Sequence, residues 1–177
     1  MPNPVLQNIK TRRVCRDMTD ERVTREQLAQ ILEAGRWAPA GGNQRSNRYV
    51  AITNSELLRL LGMAAPGMYQ KPQAIILLCI DWAKVAEYQF AETDMVPYVD
   101  LGTTMQTMML AAHGIGLGSG PVTSFSKTAV KVILNMPEHL SPEIMLCVGH
   151  PAPRTKRFAK SSKKVTWQSL TEWERFD

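Results

Sequence analysis

The stretch Ala74–Ile80 restricts the fold of this 177-residue chain more than any other feature. Its seven residues, AIILLCI, are all apolar and run without a break up to an aspartate. A strand that is apolar on both faces has to be covered on both faces, as the strands at the centre of a sheet are. The stretch therefore predicts a central strand with other layers of structure packed on either side.

The remaining pattern alternates between helix and strand. Thr24 and Gln27 have the spacing of a capping box, and a helical apolar period follows as far as Pro39. The apolar stripe of Asp100–His113 runs almost around the helix, which is typical of an interior or interface position. Further elements are predicted as strands 49–53, 117–122 and 144–148 and as helices 55–61, 127–134 and 167–176. The pattern indicates an α/β layered domain, single over residues 1–177, with a basic C-terminal extension over residues 154–177.

Composition limits the class of protein. The chain is 44% hydrophobic and has neither a signal-peptide pattern nor an apolar run long enough for a membrane span, so we expect a cytoplasmic protein without membrane contact. Its three cysteines are far apart, and only Cys147 and His150 are close enough to suggest a ligand pair, so we expect no metal site.

The net charge of +5 is concentrated near the two ends of the chain. The C-terminal basic cluster is compatible with a solvated tail, with the phosphate of a small ligand, or with nucleic acid. Nucleic-acid binding would fall steeply with salt, and we rank it last because a ligand phosphate accounts for part of the charge.

Two short segments are candidates for ligand binding. Arg12 and Arg13 follow a short apolar run, and guanidinium groups bind phosphate in a bidentate manner. The segment Ala38–Asn43 joins a helix to a strand, and its small residues would let the backbone approach a planar ring, while Asn43 carries both a donor and an acceptor. The same segment is also compatible with a simple helix-to-strand turn.

The glycines between Gly114 and Gly120 do not form a dinucleotide fingerprint, because a helix precedes them and the third glycine position of the motif is missing. The sequence also lacks Walker, HExxH and GxSxG motifs, which removes the basis for phosphate transfer, zinc proteolysis and serine hydrolysis.

In their order and spacing, these motifs resemble those of the FMN-dependent nitroreductase family. The resemblance runs from Arg12-Arg13 through the 38–43 segment and the helix 100–113 to Gly116-Leu117-Gly118-Ser119-x-Pro121-Val122 and Val148-Gly149-His150-Pro151. It implies a three-layer α/β/α sandwich with a mixed, largely antiparallel sheet, and a homodimer that holds FMN at its interface.

The resemblance also implies roles for individual residues. Arg12, Arg13 and the neighbouring Val14 would lie along the phosphate and ribityl chain, helped by Lys163 or, as second choice, Lys160. The ring would meet residues of the other subunit, namely Pro39, Ala40, Gly41 and Asn43, and would lie against Pro121, Val122 and Thr123, with a backbone N–H near Thr123 directed at N5. FMN itself would carry the chemistry, so no catalytic side chain is predicted.

The sequence departs from the family pattern at several positions. Ala40 and Val14 replace serines, which removes two hydroxyl contacts, and Arg45 stands where a glutamine is common. Arg45 would either stabilise negative charge on the reduced ring or be a surface residue, and the sequence leaves both open. The aromatic segment 82–98 would be either packing or a substrate cover.

The function implied is transfer of hydride from NADPH or NADH to FMN and then to a nitroaromatic, a quinone or a similar acceptor, with ping-pong kinetics. Two alternatives stay open, namely an oxidase that uses oxygen to reoxidise the flavin and a flavin-binding protein with little turnover.

Overall fold

The computed structural model describes residues 3–88, 95–153 and 165–175. The described residues contain six α-helices and four strands: α1 (Pro4–Thr11), α2 (Arg25–Arg36), β1 (Asn47–Ile52), α3 (Ser55–Met63), β2 (Ala74–Asp81), α4 (Trp82–Glu87), α5 (Val96–Gly114), β3 (Gly118–Val122), α6 (Lys127–Ile133) and β4 (Leu140–Gly149). None of these helices is both long and apolar enough to cross a membrane.

The four strands form one sheet in the order β1-β2-β4-β3, and every neighbouring pair is antiparallel. All residues of β2 are buried, so the prediction of a central strand is confirmed. Outside the strands, Val14 forms an isolated parallel bridge to Ser119 of β3. This bridge adds a parallel pairing to the edge of an antiparallel sheet, in agreement with the mixed, largely antiparallel sheet expected from the resemblance.

Alternate residues of β2 belong to two separate cores. Ile76, Leu78 and Ile80 pack in one cluster with buried residues of α2 and α5. Ile75 and Leu77 pack in a second cluster with buried residues of α3 and α6. Because side chains alternate across a strand, helices cover both faces of the sheet and produce the predicted three layers.

Helices α2 and α5 pack closely on one another. The α2 N-terminus is closed by the predicted capping box, in which Thr24 and Gln27 each bond the other's backbone N–H. Gly35 lies so close to Met108 of α5 that a Cβ at position 35 would overlap the end of the methionine side chain. The absence of a side chain at this position therefore sets how closely the two helices approach.

Two segments differ from the sequence-based expectation. The run before Arg12 is a helix, α1, whose N-terminus is capped by the side chain of Asn3 and has a proline in its first turn. The short C-terminal helix is wrong for the described residues 165–175, where 168–170 form a single 3-10 turn. Trp167 and Trp173 contact each other edge-on, with 6.5 Å between the ring centroids, and both are exposed. Since no core covers their side chains, nothing compensates the cost of starting a helix there.

Candidate functional site

The chain around Arg12 is held between α5 and β3. Asn8 of α1 donates from Nδ2 to the Leu110 carbonyl at 3.0 Å, and Thr11 Oγ1 lies 2.9 Å from His113 Nε2. Helix α1 ends at Thr11, with Arg12 as its C-cap. The backbone of Cys15 then donates to the Ser119 carbonyl at 2.9 Å. The predicted phosphate segment therefore lies beside the strand that carries the predicted ring residues.

Gly120 makes this close approach possible. A Cβ at position 120 would lie 2.7 Å from the Cys15 carbonyl oxygen and 2.7 Å from Gln70 Nε2. Gln70 is itself buried and donates to the Gly120 carbonyl at 3.4 Å. Sequence reasoning missed Gln70, because nothing in its local pattern distinguishes it from a loop residue.

The two predicted arginines have different surroundings. The Arg12 guanidinium has two buried nitrogens, Nε and Nη1, without a hydrogen-bond partner in the described chain. Arg13 is exposed and donates from Nη1 to the carbonyls of Lys10 and Arg12, at 2.7 and 2.8 Å. A cation can satisfy carbonyls at a helix C-terminus in this way. Arg12 therefore has donors to spare for an anion, whereas Arg13 uses Nη1 to close α1.

Two other buried polar atoms lack a partner among the described residues, namely Gln44 Oε1 and Asn47 Oδ1. Asn47 donates from its Nδ2 to Thr104 Oγ1 at 3.0 Å. Both unpartnered atoms are acceptor oxygens, which repel an anion. Within the described part of the chain, the Arg12 guanidinium is thus the buried unpartnered group that fits a phosphate.

The predicted ring residues of β3 differ in exposure. Pro121 is half-buried and Thr123 is exposed just beyond the end of the strand. The Val122 side chain is buried in the core cluster formed with α3 and α6. Any contact of Val122 with a ligand would therefore come from its backbone.

The segment 38–43 is fixed to the N-terminal half of α5. The Gly41 N–H donates to both carboxylate oxygens of Asp100, at 3.0 and 3.2 Å, and Thr103 Oγ1 donates to the Pro39 carbonyl at 3.2 Å. A cavity of about 500 Å³ opens between residues 39–41 and the start of α5. Asp100 is buried, and its position as the one acidic residue of α5 was the sequence signal that could have identified it.

Arg45 closes the other side of this segment. Its Nη1 donates to the carbonyls of Arg36 and Ala38, at 3.1 and 2.9 Å, and its Nη2 donates to Asn43 Oδ1 at 3.0 Å. Asn43 has a positive φ of 56° within the turn. Arg45 is therefore bound to the loop itself.

The two parts of the candidate site contact different ends of α5. The α1 end contacts Leu110, and the 38–43 segment contacts Asp100, ten residues earlier. At a rise of 1.5 Å per residue, these contacts are about 15 Å apart along the helix. Within one chain, the segment after Arg12 pairs with β3 through Val14, whereas Pro39–Asn43 contact the other end of α5.

The described part of the aromatic segment, which leaves out residues 89–94, contributes packing and part of the cavity wall. Tyr98 contacts Trp82 edge-on, with 6.2 Å between the ring centroids, and Met95 lines the cavity beside residues 39–41. The predicted tail residues Lys160 and Lys163 lie outside the described residues.

The chain is similar to proteins of one family. The nitroreductase family model matches residues 9–91 and 65–150. A Bacillus subtilis protein named FMN reductase [NAD(P)H] is 30% identical over 171 residues, which cover 88% of this chain and 69% of that protein.

Solved structures agree with this similarity. A putative nitroreductase from Desulfovibrio desulfuricans in complex with FMN has a TM-score of 0.82 and 31% identity, with both chains covered completely. A nitroreductase family protein from Clostridium difficile 630 has a TM-score of 0.81 and 27% identity, over 99% of this chain and 100% of that one. Since the family match covers most of the sequence and the structures agree over the whole chain, this protein belongs to the nitroreductase family.

Proposed function

We propose that the protein is an FMN-dependent NAD(P)H oxidoreductase. When bound, FMN would accept hydride from NADPH or NADH and pass it, in a ping-pong cycle, to a nitroaromatic, a quinone or a similar acceptor. The names of the Bacillus subtilis relative and of the Desulfovibrio desulfuricans structure support this assignment.

The unpartnered Arg12 guanidinium carries the proposal. Arg12 is half-buried, and its Nε and Nη1 are buried donors without partners in the described chain, which is costly; a phosphate supplies negative charge and acceptors for such donors. Because Gly120 has no side chain, the segment that follows Arg12 lies directly against β3, the strand that carries the predicted ring residues. The Arg12 guanidinium fits the phosphate end of FMN as its principal ligand. We propose Val14 and the tail lysines Lys160 and Lys163 as further contacts, and Arg13 as a minor one because its Nη1 closes α1.

The ring would lie against Pro121, Val122 and Thr123 of one subunit and meet the loop 39–43 of the other. In this arrangement the chain binds and orients the two reactants and limits the access of water. The apolar side chains Met95 and Val99 line the cavity where an acceptor would stack.

A shared site requires a homodimer, and two observations support one. The apolar residues of α1 are not buried by their own chain: Val5 is 63% exposed, Leu6 49% and Ile9 45%. The two parts of the site also contact α5 about 15 Å apart within one chain. A second copy would cover the apolar residues and supply the missing part of each site.

The altered sequence around Arg45 kept the oxidase alternative open. The Arg45 guanidinium contacts Arg36, Ala38 and Asn43 of its own chain, which gives no support to the oxidase direction. We therefore propose the reductase direction.

The direct test is an absorbance spectrum of the purified protein, followed by anaerobic addition of NADPH and then of NADH. Flavin bands that bleach with either donor support the proposal. A protein that cannot be loaded with FMN contradicts it, and bound flavin that neither donor bleaches contradicts the reductase direction.

Mixed dimers test the shared site. A dimer of one Arg12→Met chain and one Asn43→Gly chain has one fully intact site if each site uses both subunits, and none if each site lies within one chain. We expect such dimers to bind one FMN with wild-type affinity. Two weakened sites would contradict the shared arrangement.

A further inference from the structure

The orientation of the Asn43 side chain is determined by a neighbour that the family pattern does not provide. We infer that Arg45 is a positioning residue, which holds the Asn43 carboxamide with its NH2 group free, so that Asn43 offers a hydrogen-bond donor to the ligand of the 38–43 loop. The inference rests on the proposed function, in which that ligand is the FMN ring.

The hydrogen-bonding chemistry of arginine fixes the orientation. The two ends of a carboxamide differ, since the oxygen only accepts and the nitrogen only donates. A guanidinium has donors and no acceptor, so the atom that faces Arg45 Nη2 at 3.0 Å has to be the Asn43 oxygen. A rotated amide would place NH2 against a guanidinium N–H. The Asn43 oxygen therefore faces Arg45 and accepts a hydrogen bond from it, while the NH2 group keeps both of its donors for a ligand.

Arg45 is itself held in place. Its second nitrogen, Nη1, donates to the carbonyls of Arg36 and Ala38, just after the last turn of α2, where a positive charge is favoured. Reaching these carbonyls and Asn43 together requires a planar fork of donors, which lysine lacks. Arg45 thus connects the end of α2 to the Asn43 side chain.

The Asn43 backbone leaves the side chain little freedom to move elsewhere. Its φ of 56° places it in the left-handed region, and its N–H donates to the Ala40 carbonyl at 2.9 Å. Asp100 holds the Gly41 N–H on the opposite side of the turn. The loop is therefore preorganised before any ligand arrives.

The hydrogen-bond donor of Asn43 determines which ring atoms can pair with it. The pyrimidine part of a flavin has carbonyl oxygens, which accept hydrogen bonds, and one ring N–H, which donates. Through its NH2 group, Asn43 should pair with a carbonyl oxygen of the ring. Residue 45 would in this way control which edge of the ring the loop recognises.

Two substitutions at position 43 separate the alternatives. Asn43→Asp keeps an oxygen facing Arg45 and tolerates positive φ, but it has no NH2 group. Asn43→Gly removes both ends of the amide without backbone strain. We expect both variants to bind FMN about tenfold more weakly, which is the usual cost of one lost hydrogen bond. The readout is the quenching of FMN fluorescence on titration of the apoprotein.

Asn135→Asp is the matched control, because Asn135 also has a positive φ, of 47°, and lies in the turn after α6. It should bind FMN like the wild type. If Asn43→Asp binds FMN as tightly as the wild type while Asn43→Gly does not, the ligand uses the oxygen and the inference is overturned. Unchanged binding in both variants also overturns it and leaves the proposed function intact. A wild-type protein that binds no FMN overturns both.

Arg45→Met tests the positioning role itself. It should weaken FMN binding several-fold in the wild-type background and at most twofold when residue 43 is already glycine, because interacting residues are not additive. If Arg45→Met weakened FMN binding equally with asparagine and with glycine at position 43, Arg45 would act on the ligand by a route other than Asn43. Thermal unfolding of each apoprotein establishes that the variants are folded.

Discussion

Replacing each of the two adjacent arginines with methionine should have opposite consequences. Arg12→Met removes a guanidinium whose Nε and Nη1 are buried and unpartnered in the described chain. Arg13→Met removes a guanidinium that donates to two carbonyls at the end of α1. Methionine keeps an unbranched apolar side chain in both cases, so the difference between the variants reports the charged group.

The expected magnitudes follow from these contacts. A hydrogen bond to a charged group contributes about 1.5–3 kcal/mol, so two such bonds from Arg12 to a phosphate contribute about 3–6 kcal/mol. Arg12→Met should therefore weaken FMN binding by a factor of about 10² to 10⁴. The apoprotein should be as stable as the wild type or more stable, because methionine removes two buried donors that have no partner in the described chain.

Arg13→Met should show the reverse pattern. Loss of the carbonyl contacts at an exposed helix end should reduce the free energy of unfolding by about 0.5–1 kcal/mol. FMN affinity should change by no more than about threefold, which corresponds to less than 1 kcal/mol.

Fluorescence titration of both apoproteins with FMN and with riboflavin measures these effects, and thermal unfolding measures stability. Riboflavin lacks the phosphate, so Arg12→Met should leave its affinity unchanged. Arg59→Ala, at an exposed position on α3, serves as a charge-matched control. Retention of full FMN affinity by Arg12→Met would refute the assignment, and so would an equal loss of FMN and riboflavin binding.

Two substitutions test the surroundings of the site, and two buried cysteines test the core. Gly120→Ala places a methyl group 2.7 Å from the Cys15 carbonyl and should destabilise the protein by about 1–3 kcal/mol and weaken FMN binding, whereas unchanged melting would show that the strand can move apart. Asp100→Ala leaves a loop N–H without its acceptor and should cost about 2 kcal/mol in urea unfolding, and a loss under 0.5 kcal/mol would contradict the anchoring role. Burial raises the pKa of Cys79 and of Cys147 from 9.0 to about 12, so both thiols should resist iodoacetamide at pH 8 until the protein unfolds. Since the unfolded thiols ionise first, these two groups should also make stability fall as pH rises from about 9 towards 12, and rapid labelling of both in the native protein would count against their burial.

Much of the fold could be predicted because hydrophobic periodicity reports burial directly. The apolar stretch Ala74–Ile80 identified the central strand, and the capping box at Thr24 identified the start of α2. Helix α1 was not predicted, although Asn3 and Pro4 form a standard signal for the start of a helix. Its apolar residues pack on no core of their own chain, so their pattern did not indicate a buried helix face. The predicted C-terminal helix is wrong for the described residues 165–175, because apolar residues at helical spacing do not by themselves provide a surface on which the helix can pack.

The site was predictable only in part. The position of Arg12 and the 38–43 segment followed from motif order, but the different environments of Arg12 and Arg13 depend on where α1 ends. The role of Arg45 depends on carbonyl groups exposed at the end of α2, which no local pattern specifies. Contacts of this kind arise from tertiary structure and are visible only when the backbone is known.

The close approach of Gly35 to Met108 connects the position of the segment 38–43 to the volume of the Met108 side chain. If residue 35 gained a methyl group, either the end of the Met108 side chain would have to turn aside or α2 would have to move away from α5. The segment 38–43 follows directly after α2, so a displacement of α2 would move this segment relative to Asp100. Positions 35 and 108 should therefore vary together among homologues, with their summed volume nearly constant, even though neither residue lines the cavity.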